Sequence, residues 1–275
     1  MSEMEFIQYE AVERVGVITL NRPERRNAQN PQLLKELDAA WDLAAADRDV
    51  RVIVVKANGP HFSAGHDISM SRDRAIMSEI DLTNDGLAGL YNWERKHYLG
   101  FSRKWRDIPK PSIAAVQGAC IAGGLMLCWP CDLIIAADNA RFSDPVLRMG
   151  IGGVEYHGHV WEFGARKAKE MLFTASVIDA EEAHRLGMVN RVVPVDELVE
   201  QTMAMANEIA QMHPFALAMA KRAVNQTLDI MGQYVAMQSV FDMHSLAHGN
   251  ALSLTGYPVM ANLDEMKAAQ KDSQT

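Results

Sequence analysis

The chain is short of three things: cysteine, basic charge and long apolar runs. Its 275 residues hold three cysteines, Cys120, Cys128 and Cys131, all within one short stretch. An odd, clustered set does not make a disulfide framework and fits a reducing compartment. Cys128 and Cys131 are spaced like half of a zinc site, but no second Cys or His pair stands at matching spacing to complete a tetrahedron. His61 and His66 read as loop histidines on the same reasoning, so no metal is expected. A formal net charge of -8 excludes a generally basic, phosphate-binding surface and with it nucleic acid as a partner. No apolar run reaches the roughly 20 residues of a membrane span, and no basic-then-apolar leader precedes Glu5. A cytoplasmic protein is expected.

What is present is apolar content, 48% of residues, enough for a large core. Val15 to Leu20 reads as a strand, closed by Asn21-Arg22-Pro23. Pro31 to Ala46 carries Leu33, Leu34, Leu37, Ala40, Trp41 and Ala44 at helical spacing, and Val50 to Val55 is a β-branched strand. A strand, helix, strand order of this length returns the chain parallel to its start and predicts an α/β layered core. Further strands are expected at Ser112 to Val116, Asp132 to Ala137, Arg141 to Val146 and Val189 to Val193. Helices are expected over Val160 to Phe173 and after Asp179, a residue suited to an N-cap. Near residue 200 the texture changes to helices only, rich in methionine, which predicts a core or a subunit interface. The expected division is therefore 1–200 and 201–275.

Three loops draw attention. Gln117 to Met126 follows a buried strand with the pair Gly123-Gly124 and a helix start, where unpaired N–H groups can stabilise negative charge. Asn58 to Asp67 leaves a strand at its carboxyl end, where parallel sheets place ligands. Met149 to His159 is glycine-rich and carries Glu155, His157 and His159. Between them, Leu87 to Trp105 supplies Tyr91, Trp93, Tyr98, Phe101 and Trp105, for a core or for the wall of an apolar pocket.

Several segments together are similar to the crotonase, or enoyl-CoA hydratase/isomerase, superfamily. They are Thr19-Leu20-Asn21-Arg22-Pro23 with Asn27-Ala28, Phe62 to Ile68, Lys110 to Gly118, Gly123-Gly124 with Cys131-Asp132, and Ile178 to Ala183 followed by Gly187 to Asn190. The resemblance implies a spiral of repeated β-β-α turns with a C-terminal helical region that assembles trimers or dimers of trimers. It implies an acyl-CoA substrate in fatty-acid or other carboxylic-acid catabolism, with no cofactor beyond the CoA thioester. The backbone N–H groups of His66 and Gly123 then form the oxyanion hole, and Arg26, Ala28, Ala64, His66, Asp67, Ile68 and Gly123 line the CoA site.

The same resemblance marks departures. Hydratases of the family hold a water between two glutamates, at positions that are Met126 and Val146 here, and neither side chain moves a proton. Other branches place an acid in the following glycine-rich loop, which makes Glu155 the first acid/base candidate. His157 follows as a relay, and Asp144 as a group on the strand face shared with Val146. Leu246 to Met260 departs from the family's closing segment, which brings a basic residue to a neighbour's CoA. The alternatives to a hydratase are an isomerase, a C–C hydrolase or ring-opening enzyme using Glu155 or His157, and a non-catalytic CoA-thioester binder.

Overall fold

The computed structural model describes residues 4–68, 79–261 and 265. Its main sheet runs in the order β1-β2-β3-β4-β6-β9: β1 (Ile7–Val12), β2 (Val15–Leu20), β3 (Val52–Ala57), β4 (Ser112–Val116), β6 (Leu133–Ala137) and β9 (Arg191–Val193). β1 pairs antiparallel with β2, and every later pairing is parallel. A smaller sheet contains β5 (Ala119–Ile121), β7 (Arg141–Ser143) and β8 (Val177–Asp179).

The continuous apolar runs of β2, β3, β4 and β6 follow from burial on both faces. Successive side chains alternate between two cores. Ile18, Leu20, Ile53, Val55, Ala114, Val116, Ile134 and Ala136 face one, together with Leu33, Leu37 and Trp41 of α1 (Pro31–Ala46). Val15, Val17, Val52, Val54, Ile113, Ala115, Ile135 and Ala137 face the other, covered by Leu198 and Ala206 of α7 (Leu198–Ile209). Helix α1 begins where expected because Asn30 Oδ1 accepts the Leu33 N–H at 2.8 Å and Pro31 occupies the first turn.

The spiral repeats strand, strand, helix. β4 leads to β5 and the short α4 (Leu125–Cys128); β6 leads to β7 and α5 (His159–Thr174); β8 leads to α6 (Ala180–Leu186) and back to β9. Asp179 caps α6 by accepting the Glu182 N–H at 2.8 Å, and Gly187 ends it at φ +91°. The division near residue 200 passes just inside α7, which packs on the main sheet. Beyond it, α8 (Pro214–Ile230) leads to α9 (Gln233–Thr255), and α9 turns back onto α2 (Leu82–Glu94). Among the described residues, no helix is long and apolar enough to cross a membrane. All three cysteines are buried free thiols.

Two local expectations are corrected. The glycine turn after β4 contains a strand, β5, before its helix starts. The strand expected over Arg141 to Val146 stops at Ser143, so Asp144 and Val146 do not share a strand face; Pro145 has no N–H for a ladder, and Val146 begins a 3-10 turn that runs to Met149.

Candidate active site

The loop from Asn58 to Ile68 is stitched on both sides. Ala64 N donates to Arg26 O at 2.9 Å, Gln29 N to Gly65 O at 2.8 Å and Asp67 N to Gln29 O at 2.9 Å, while Phe62 N and Ser63 N donate to Gln117 O and Ala119 O. Gln29 thus pairs with the residues flanking His66 and leaves the His66 N–H directed away from it. Gln29 Nε2 also donates to Gly123 O at 2.8 Å, which fixes the second loop against the first. Gly123 lies in the 3-10 turn Ala122–Gly124 that opens α4, where first N–H groups have no acceptor inside the helix. A Cβ built on Gly123 would lie 3.2 Å from His66 N, so Gly123 packs directly against the His66 backbone. Ala122 beside them is held at φ +48°.

The His66 ring fills the space next to Gly123 and stacks on Tyr98, with centroids 3.9 Å apart and planes 6° from parallel. Tyr98 belongs to a π-helical turn, Arg95–Gly100, between α2 and α3 (Phe101–Asp107), a kind of distortion frequent at functional sites. Trp93 meets the Tyr98 ring edge-on at 5.0 Å. Trp105 instead stacks on Trp41 and donates to Asp38 at 3.0 Å, so it is core and not pocket wall.

Glu155, 3% exposed, brings a buried carboxylate to the His66 ring. Its Oε1 lies 3.8 Å from His66 Nδ1 and 3.5 Å from His244 Nε2. Behind it stand Glu94 of α2 and His244 and His248 of α9. His244 Nε2 is 3.6 Å from Glu94 Oε2, His248 Nε2 is 3.4 Å from Glu94 Oε1, and the two histidine Nε2 atoms are 3.0 Å apart. Burial works against charge on His244, but the carboxylates of Glu155 and Glu94 outweigh it and lift the imidazole to about 9. Burial opposes ionisation of Glu94 as well, and the two histidines that face it prevail and hold it at about 2. Burial, then the charges of Glu155 and Glu94, push the Tyr98 hydroxyl well above its ordinary value, so it stays protonated.

The other sequence candidates fall elsewhere. His157 packs on His159 with centroids 4.2 Å apart, and burial, reinforced by His159, pushes it down to about 3, so it is a neutral imidazole near pH 7. Among the described residues, no hydrogen bond or ion pair joins it to His66 or Glu155. Asp144 is fully buried; its Oδ2 accepts the Val154 N–H at 2.9 Å and lies 3.0 Å from His159 Nε2, in a contact not aligned as a hydrogen bond. Burial disfavours its charge, but His159 and the amides of Val154 and Val146 hold its carboxyl below the ordinary range. It ties down the loop that carries Glu155. Asp144→Asn keeps the shape and one acceptor but loses the charge, and should cost about 1–3 kcal/mol. Because the folded-state value is lowered, the wild-type advantage is present above about pH 4 and is lost as pH falls through that lower value. Urea midpoints of both proteins at pH 7 and pH 3 check this.

Of the expected CoA-site residues, Arg26 is exposed at φ +53°, Ala28 and Ala64 flank the stitched loops, and Asp67 is buried with its carboxylate 2.6 Å from Arg22 Nη1. Ile68 N donates to His66 O at 2.9 Å. Met126 is 2% exposed within the core, and Val146 packs at its edge. Glu94, His244 and His248 were not singled out from sequence. Their one legible signal is the four-residue spacing of the histidines, which puts both on one helix face.

A spiral α/β frame of strand, strand, helix turns, with a glycine-opened helix start packed against His66, is the architecture of the crotonase class of enzymes. The enoyl-CoA hydratase/isomerase family model matches residues 10–250, and the chain belongs to that family. EchA13 of Mycobacterium tuberculosis, a protein named for the enoyl-CoA hydratases, is 43% identical over 267 residues, covering 92% of this chain and 84% of its own. A Mycobacterium smegmatis crystal structure bearing the same enzyme name is 59% identical with a TM-score of 0.87, over 94% of this chain and all of that one. An enoyl-CoA hydratase/isomerase from Xanthobacter autotrophicus Py2 is 31% identical with a TM-score of 0.82, over 98% of this chain and 94% of its own.

Proposed function

We propose that the chain is a cytoplasmic acyl-CoA enzyme that stabilises a thioester enolate between the N–H groups of His66 and Gly123, with Glu155 moving the proton. The observation that carries this reading is the close packing of Gly123 against the His66 backbone, with the buried Glu155 carboxylate 3.8 Å from the His66 ring. Charge that develops on the thioester oxygen when the α-carbon loses or gains a proton meets donors already in place. Arg26, Ala28, Ala64, Asp67 and Ile68 border the CoA portion; Asp67 serves through its backbone, since its carboxylate is taken by Arg22. Asp144 is a positioning residue for the Glu155 loop, and His157 lends that loop a neutral ring.

The family name covers both hydration and isomerisation. Met126 and Val146 stand where hydratases of the family carry their glutamates, which favours enolate chemistry other than plain water addition: isomerisation, or C–C cleavage of a β-keto thioester with Glu155 activating water. Assay of the wild-type chain against crotonyl-CoA, a dienoyl-CoA and cyclic β-keto acyl-CoAs tests this. Turnover of the last two groups is expected. Robust crotonyl-CoA hydration would overturn the argument from Met126 and Val146, and binding of every thioester without turnover would leave a CoA-thioester binder.

A trimer or dimer of trimers accompanies this function. The C-terminal helices expose Ile230 at 88%, Val235 at 70% and Leu246 at 70%, apolar surface of the kind subunit contacts cover.

A further inference from the structure

Two histidines and a glutamate behind Glu155 are left unused by the chemistry above. Glu94 ends α2, and His244 and His248 lie one turn apart on α9, with all three buried. We propose that Glu94, His244 and His248 hold a divalent transition-metal ion of the zinc class, through one carboxylate oxygen and the two Nε2 atoms.

The first argument is the orientation of the imidazoles. His244 Nδ1 lies 2.7 Å from Gly153 O, and His248 Nδ1 lies 2.5 Å from Pro258 O. A carbonyl only accepts, so both Nδ1 atoms carry protons, and both Nε2 atoms turn inward. Fixing a ligating histidine by a hydrogen bond from its other nitrogen to a backbone carbonyl is the usual outer support of a metal site. The second argument is spacing. One oxygen of Glu94 and the two Nε2 atoms lie within 4.8 Å of one another; the Nε2 atoms are 3.0 Å apart, and Glu94 approaches His248 through Oε1 at 3.4 Å and His244 through Oε2 at 3.6 Å. Tetrahedral coordination with bonds of about 2.0–2.1 Å separates ligands by roughly 3.3–3.4 Å.

The third argument is a count of protons and charge. With both Nδ1 protons committed to carbonyls, the two Nε2 atoms face each other at 3.0 Å and face the carboxylates of Glu94 and Glu155 at 3.4–3.6 Å. Glu94 Oε2 and Glu155 Oε2 are buried with no hydrogen-bond partner among the described residues. Buried acceptors in that state are costly. A dication answers both imidazoles and the negative charge at once. Two histidines and one glutamate are also a donor set of zinc sites that keep a fourth position open. Glu155, whose Oε1 is 3.5 Å from His244 Nε2, stands beside the three ligands as an outer carboxylate able to accept a hydrogen bond from a water on the metal.

The experiment does not depend on turnover, so its failure is distinguishable from failure of the acyl-CoA reading. The full chain is stripped with chelator and titrated with Co2+, following visible absorption, and then with Zn2+ in competition. One equivalent of Co2+ with a four-coordinate spectrum, displaced by Zn2+, is expected. His248→Ala and Glu94→Gln should each weaken binding by more than about a hundredfold, since losing an outer partner alone costs up to about that factor. Circular dichroism establishes that each variant is folded, and either folded variant suffices for the comparison. No saturable Co2+ binding by the wild type would overturn the proposal, and so would affinity unchanged in a folded variant.

Discussion

Gly123→Ala should lower the turnover number for the acyl-CoA substrate by about 10²- to 10³-fold, the effect of removing one oxyanion donor elsewhere. The new Cβ would lie 2.5 Å from His66 Cδ2, 2.6 Å from His66 Nε2 and 3.2 Å from His66 N. It therefore presses on the His66 ring and crowds the His66 amide. That ring cannot swing aside freely, because Tyr98 stacks on it at 3.9 Å and Glu155 stands beyond its Nδ1. Something must shift, and the Gly123 and His66 amides are what the shift misaligns. Affinity for the CoA moiety should change far less, since Arg26, Ala28 and Ala64 are untouched. Steady-state kinetics beside direct titration with a non-reactive CoA thioester separates the two effects. A variant with wild-type turnover would show that the close approach of Gly123 to His66 is not needed for the chemistry.

The glycine at this position shows what a sequence can carry. The run from Ser112 to Gly124 has an apolar strand, a turn and a helix start in an order that local patterning exposes, and the structure differs mainly in placing β5 inside the turn. The β2, α1 and β3 elements were legible for the same reason, since each has one strong period and a clear stop. Strand β1 is less legible, because only Ile7 of its six residues is buried and the alternation of Ile7, Tyr9 and Ala11 with Gln8 and Glu10 is too short to stand out. The shared strand face of Asp144 and Val146 fails because the strand stops at Ser143 and Pro145 has no N–H to continue it.

The cluster behind Glu155 was hidden by distance along the chain. Glu94 and His248 are separated by more than 150 positions and meet because α9 folds back on α2. The histidine pair at i, i+4 was visible, but nothing local tells a buried pair from a solvated one. The π-helical turn that aims Tyr98 at His66 is equally silent, as its residues continue an ordinary helical pattern.

Glu155→Gln is the second substitution with a large expected effect. A positioned acid or base contributes about 10²- to 10⁴-fold, and loss of the proton-transferring group should reduce kcat within that range. Gln keeps the size of the side chain and a carbonyl oxygen near His66 Nδ1 and His244 Nε2, so the fold and thioester binding should survive, with KM changed little. That pattern separates a residue that moves a proton from one that holds the loop. Asp144→Asn supplies the contrast, because its side chain bonds the Val154 amide and faces His159, and its loss should appear mainly as lower stability. If Glu155→Gln in an active enzyme left kcat unchanged, proton transfer would have to be reassigned. Tyr98 would then come first, since its buried hydroxyl stays protonated and its ring already covers His66.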